Sequence, residues 1–134
     1  MSTVNDDVAI SARSFIQCVW NAEDGVRHLS DWLAPDYLDH AYQGDAAGLA
    51  NAIAELRQAF PDAQFEIEDV VAERSTAVLR MRLRATHSGA FRGTAATGAA
   101  VDVKVFRWLR FDRGRIAEHW ALLDTASLLR QLAA

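Results

Sequence analysis

The sequence predicts an α+β fold in which three N-terminal helices wrap a cone-shaped, curved sheet, mixed but mostly antiparallel, and a short C-terminal helix closes the chain. Three observations carry that expectation. Apolar residues recur every three or four positions up to Pro61 and every second position beyond it. The strands are amphipathic, so one sheet face is covered and the other meets solvent. A final apolar-periodic stretch, "ASLLRQL", reads as helix again. Helices laid on one face of a curved sheet leave an open end, the place where small ligands enter.

Each element follows in order. In "DDVAISARSFIQCVWNAEDG", Val8, Ala12, Phe15, Ile16 and Val19 form one apolar stripe, with Asn5 or Asp6 at its start and Gly25 past its end. Val26, Leu29, Trp32 and Leu33 repeat the pattern in a shorter helix that Pro35 stops. "YLDHAY" reads as a short strand or extended segment. The third helix, "GDAAGLANAIAELRQAFPD", takes Asp45 as its cap, turns Leu49, Ile53, Leu56 and Phe60 inward and ends at Pro61. Phe65 and Ile67 then alternate with Glu66 and Glu68, and Leu79, Met81 and Leu83 with Arg80, Arg82 and Arg84. "ERS" suits the turn between those two strands. "AVDVKVFRWLRF" and "RIAEHWALL" are two further strands joined by "DRG", whose Gly114 fits a left-handed hairpin position.

The chain has 134 residues, one domain's worth (1–134), enough to bury a core without staples. A formal net charge of −4 argues against nucleic acid or an anionic membrane as partner. Cys18 is alone, which excludes an internal disulfide and a cysteine metal site. "MSTVNDDVAISARSF" lacks the basic and apolar regions of a signal peptide, and no apolar run reaches the ~20 residues of a bilayer span. The cytoplasm is the expected location.

Few side chains carry chemistry. Arg80, Arg82 and Arg84 form a basic stripe, but Glu66 and Glu68 share its face on the neighbouring strand, so cross-strand ion pairs are expected. His28, His40, His87 and His119 show no metal-ligand spacing, and no metal is expected. His119 alternates with Trp120, which sends the two to opposite faces; His87 ends a strand at a rim position. His40 has the best claim to face a pocket. There is no Gly-x-Ser-x-Gly elbow and no glycine-rich phosphate loop.

Asp124 remains. With "DRG" as a three-residue loop, Phe111 pairs with Arg115, Phe106 lies opposite Trp120 and Trp108 opposite Glu118. Asp124 then shares the face of Phe106, Trp108 and Trp120, an assignment that a one-residue bulge reverses. A carboxyl surrounded by aromatic carbon is desolvated and suits general acid–base work. An aspartate directly before "TASLLRQL" is equally a good N-cap, although Thr125 is a second candidate for that task. Both roles stay open.

Taken together, "WLAPDYLDH", "AFPDAQFEIEDVVAE", "ATHSGAFRGTAATGAAV" and "RFDRGRIAEHWALLDTASLLRQL" resemble the SnoaL-like polyketide-cyclase and ester-cyclase family of the nuclear transport factor 2-like superfamily. The likeness runs from Ser14 to Leu132. It implies a cone-shaped α+β barrel, a pocket aspartate that acts as general acid–base in an intramolecular aldol ring closure, no cofactor or metal, and a homodimer formed through a sheet face. Family members often carry one acid directly after the tryptophan and another four residues after it. Here Ala121 takes the first place and only Asp124 remains; "AATG" replaces the usual "PPTG", and Arg107 stands where a polar or histidine residue is common.

On this resemblance, the expected function is cofactor-independent acid–base chemistry, aldol cyclisation or isomerisation, on a small apolar or aromatic carbonyl compound. Asp124 would move the proton and His40 would assist, with Trp20, Tyr42, Phe106 and Trp120 as pocket walls. The alternative is a binding or scaffold module of the same fold without turnover. Ala121 is the residue that points to it.

Overall fold

The computed structural model describes residues 3–42 and 44–133. Helix α1 (Thr3–Phe15) starts ahead of both expected caps and buries Val8, Ala12 and Phe15 as expected. Its end widens into a π-helical turn, Ile16–Trp20, closed by the Asn21 amide donating to the Ile16 carbonyl at 2.9 Å. A π turn holds more residues than an α turn, and here Val19 and Trp20 both face inward. The second expected helix is a 3-10 turn (Gly25–His28) followed by a single α turn, α2 (Leu29–Trp32). Pro35 lies beyond it in strand β1 (Leu33–Asp39), at the sheet edge where a missing amide does least harm.

Helix α3 (Ala46–Ala59) is capped by Asp45, which accepts from the Gly48 amide at 2.9 Å. Near its other end, the Arg57 guanidinium donates to the carbonyls of Trp20 (2.5 Å), Pro61 (2.9 Å) and Ala63 (3.2 Å). That one side chain fastens the π turn to the entrance of the sheet.

Strands β2 (Gln64–Glu73), β3 (Thr76–Thr86), β4 (Ala100–Asp112) and β5 (Arg115–Leu123) form an antiparallel meander. β1 pairs in parallel with β5, giving the order β1-β5-β4-β3-β2. α1 packs on β2 and β3, α3 on β1, and the last helix, α4 (Thr125–Ala133), on β4. The inner face takes Leu79, Met81 and Leu83 from β3 and Val101, Val103, Val105, Leu109 and Phe111 from β4, all buried. The outer face carries the arginine stripe in ion pairs: Arg82 with Asp102 at 2.8 Å, Arg84 with Glu66 at 3.0 Å and Arg80 with Glu68 at 3.8 Å.

The β4–β5 hairpin departs from the expected register in two ways. Its turn has two residues, Arg113 and Gly114, both left-handed (φ 52° and 80°), so Asp112 pairs with Arg115. Ala117 then bulges between the pairs Phe111–Ile116 and Arg110–Glu118. The two single-residue changes cancel in parity and slide the register by two: Trp108 faces Trp120, and Phe106 faces Leu122. The aromatic residues do share one face, but it is the outer one, with Phe106, Trp108 and Trp120 between 38% and 50% exposed. The cause is visible along β4. Asp102, Lys104 and Arg110 lie on the same parity, and burying the aromatic row would bury those charges with it.

Candidate functional site

Inside the cone lies a cavity of about 300 Å³, at the small end for a ligand pocket. Trp20, Phe65, Leu83, Val105 and Leu123 give it apolar walls, and Ala121 contributes only a methyl group. Its polar lining comes chiefly from Tyr42, Glu55, Arg92 and Arg107.

Arg107 is the unusual member. It occupies the inner row of β4, between Val105 and Leu109, and is 3% exposed. Its guanidinium stacks 3.6 Å above the Trp20 ring and 5.1 Å from that of Phe65, two cation–π contacts that partly replace lost hydration. Nη1 donates to the Tyr42 hydroxyl at 3.3 Å and to His119 Nε2 at 3.2 Å. Nε is buried without a partner, and no carboxylate among the described residues reaches the guanidinium.

The compensating charge sits one imidazole away. Asp39, at the end of β1 and 3% exposed, accepts four hydrogen bonds. The amides of Ala41 and Tyr42 donate to Oδ1, each at 2.8 Å; the Tyr37 hydroxyl (2.5 Å) and His119 Nδ1 (3.0 Å) donate to Oδ2. Burial works against the charged form, but the bonds from His119, Tyr37 and the Tyr42 amide outweigh it and hold the carboxyl down to about 2. His119 is pushed the other way: burial lowers its pKa and the Arg107 cation lowers it further, against the pull of Asp39. The imidazole is therefore neutral, with its proton on Nδ1 toward Asp39 and its Nε2 lone pair toward Arg107. Burial and the bond to Asp39 raise the Tyr37 hydroxyl above its ordinary range, so it stays a donor.

The parallel pairing of β1 with β5 sets Asp39 beside His119, and the β4–β5 ladder sets His119 across from Leu109, one inner-face step from Arg107. Three strands thus build a chain, Asp39–His119–Arg107, that ends at the cavity. A cation fixed in a mostly apolar wall, beside a tyrosine hydroxyl whose own proton is free to donate, suits a ligand oxygen carrying or gaining negative charge.

The expected site residues divide between the two faces of the sheet. Trp20 and Tyr42 line the cavity. Phe106 and Trp120 are on the outer face, and so is His40, whose ring stacks on Trp120 (centroids 4.5 Å apart) and whose Nε2 meets Glu118 Oε2 at 2.8 Å. Asp124 is exposed and caps α4: Oδ1 accepts from the Ser127 amide at 3.1 Å, and its carbonyl accepts from the Leu128 amide at 3.1 Å. Thr125, the rival cap, instead turns its hydroxyl back to the Leu123 carbonyl at 3.3 Å. His87 is fully buried rather than at a rim, and its Nδ1 meets Thr97.

Arg107, His119 and Asp39 did not stand out in the sequence as a set. One signal for them does exist: Arg107 interrupts an otherwise apolar alternate row, and a charge on the core parity is the informative kind of exception.

The SnoaL-like polyketide cyclase family matches residues 10–132. None of the curated proteins matches the chain. Among solved structures, AclR, a proposed hydroxylase from Streptomyces galilaeus, is similar with a TM-score of 0.87 and 27% identity, over 96% of this chain and 97% of its own. IdmH, a proposed polyketide cyclase from Streptomyces antibioticus, has a TM-score of 0.83 and 25% identity, over 95% and 99% of the two chains. A SnoaL-like polyketide cyclase from Agrobacterium tumefaciens has a TM-score of 0.73 at 20% identity, over 98% and 99%, a likeness of fold.

Proposed function

We propose that this chain, which belongs to the SnoaL-like polyketide cyclase family, is a cofactor-independent enzyme that enolises a small apolar or aromatic carbonyl compound, in an aldol cyclisation or an isomerisation. The observation that supports this reading is the buried Arg107, held by His119 and Tyr42 and contacted by no carboxylate among the described residues. Removing a proton beside a carbonyl leaves negative charge on its oxygen. A donor already fixed where that charge appears stabilises the transition state more than the neutral substrate. Arg107 and the Tyr42 hydroxyl would be those donors, while His119, Asp39 and Tyr37 keep the guanidinium from turning away. Asp124, bound up in capping α4, is assigned no step.

Binding of 2-naphthol tests the site, because its ionised form has the shape and charge of the enolate of 2-tetralone. The parent protein is expected to bind it as the naphtholate, seen in the absorption spectrum, at a pH where the free phenol is neutral. Arg107→Met should bind only the neutral phenol and should slow exchange of the 2-tetralone α-protons for deuterium by about 10²–10³-fold. Identical spectra for parent and variant would sink the proposal. Naphtholate binding without any exchange would favour the non-catalytic binding module, the reading to which Ala121 points.

The outer sheet face supports self-association. Phe106, Trp108, Trp120 and Leu122 form one apolar patch, rimmed by the arginine–carboxylate pairs, and a homodimer covering it would remove it from water.

A further inference from the structure

Enolisation needs a base as well as an oxyanion site, and most of the titratable groups near the cavity are already committed. The Asp124 carboxylate accepts from the Ser127 amide of α4. Both oxygens of Asp39 are filled by four donors, and His119 presents its one free lone pair to Arg107. Ala121 offers nothing to titrate. Among the described residues lining the cavity, one is a carboxylate: Glu55.

Glu55 reaches the cavity from helix α3 rather than from the sheet. Ala52, Glu55 and Leu56 all line it, and their three- and four-residue spacing places them on one face of α3. No described cation is within ion-pair distance of the Glu55 carboxylate. Its oxygens are therefore available, and its exposure lets a proton it accepts pass on to water. The neighbouring wall is tied to the end of α3. The amides of Ser88 and Gly89 both donate to the Ala59 carbonyl at the end of α3, at 2.9 and 3.0 Å, and a Cβ at Gly89 would come within 2.3 Å of the Gln58 carbonyl oxygen. The Phe91–Thr94 turn that follows carries Phe91 and Arg92 to the cavity.

Resting on the oxyanion reading above, we propose that Glu55 is the catalytic base. Its carboxylate takes the proton from the carbon beside the carbonyl as that C–H bond breaks. The bonding pair becomes the enolate π bond, and the carbonyl pair moves to the oxygen facing Arg107 and Tyr42. In an aldol closure the enolate carbon then bonds to a second carbonyl carbon of the same molecule, and the alkoxide formed there takes the proton back from Glu55. Atoms and electrons balance without a cofactor.

The experiment compares parent, Glu55→Gln and Glu55→Asp in two assays, 2-naphthol spectra and deuterium exchange into 2-tetralone across pH. Glu55→Gln should slow exchange by about 10²–10⁴-fold while still binding the naphtholate. Glu55→Asp, which keeps a carboxylate, should recover part of the parent's rate. Glu55→Gln exchanging at the parent's rate with intact naphtholate binding overturns the assignment. A parent that binds the naphtholate but exchanges no deuterium overturns it too. Failure of the parent to bind the naphtholate is a different result, and it removes the oxyanion site itself.

Discussion

Replacing Asp39 with asparagine gives the sharpest test of the buried chain behind the cavity. The folded protein holds this carboxyl at about 2 against an ordinary 3.8, despite burial, because four donors converge on it. A group whose pKa is lowered by folding stabilises the folded state above its unfolded pKa. That contribution is lost as pH falls through the folded value. At about 1.4 kcal/mol per pH unit, the gap amounts to about 2 kcal/mol, present near neutrality and mostly gone by about pH 2. Urea unfolding followed by tryptophan fluorescence, at about pH 6 and about pH 2, measures it. Asp39→Asn cannot titrate, so its stability should fall less between the two conditions than the parent's, by at most about 2 kcal/mol, because His119 loses the pull of Asp39 in the variant and gives part of the difference back. Asp62, Asp102 and Glu118, also held below their ordinary values, are common to both proteins and cancel in the comparison. At about pH 6 the variant should be weaker by roughly 3 kcal/mol, since Arg107 loses the compensation that Asp39 supplies through His119 and an amide nitrogen meets donors. Equal acid sensitivity in the two proteins would refute the reasoning.

Two further outcomes bear on the rest of the molecule. Asp124→Ala should lose about 1 kcal/mol of stability through the α4 cap, whereas Asp124→Asn, an equally good cap, should keep it. Deuterium exchange into 2-tetralone that collapses in a stable Asp124→Asn variant would return that aspartate to the chemistry. Sedimentation at micromolar concentration should show a dimer that Trp108→Glu converts to monomer, because a charge in the middle of the outer apolar patch would be buried unpaired. A parent that sediments as a monomer refutes the use of that face.

Much of the fold is written locally. The change of period at Pro61, the Asp45 cap and the Arg113–Gly114 turn depend on residues within a few positions of one another. The ion pairs of Arg82 and Arg84 join residues 20 and 18 positions apart and need only β3 laid beside its neighbours. Trp20 and Tyr42 reach the cavity as the sequence suggests, although a π turn that no local pattern announces is what turns Trp20 inward.

Parity along β4 and β5 is likewise local, and it groups Phe106, Trp108 and Trp120 correctly, while Asp124 lies past the end of β5. Which parity faces the core is not local. It is decided by the whole row, and the row with Asp102, Lys104 and Arg110 cannot be buried, whatever its aromatic content. That choice put Phe106, Trp120 and His40 outside and left Asp124 to the helix. It also brought one arginine inside.

The sequence by itself determined the elements, their order and the two sets of residues each strand divides into. Only the tertiary structure joined Asp39, His119 and Arg107, because they come from β1, β5 and β4 and meet through a parallel pairing between strands far apart in the chain. The contacts made there fix the role of each: hydrogen bonds hold Asp39 as a carboxylate against its burial, burial and the Arg107 cation keep the His119 imidazole neutral, and the guanidinium faces the cavity.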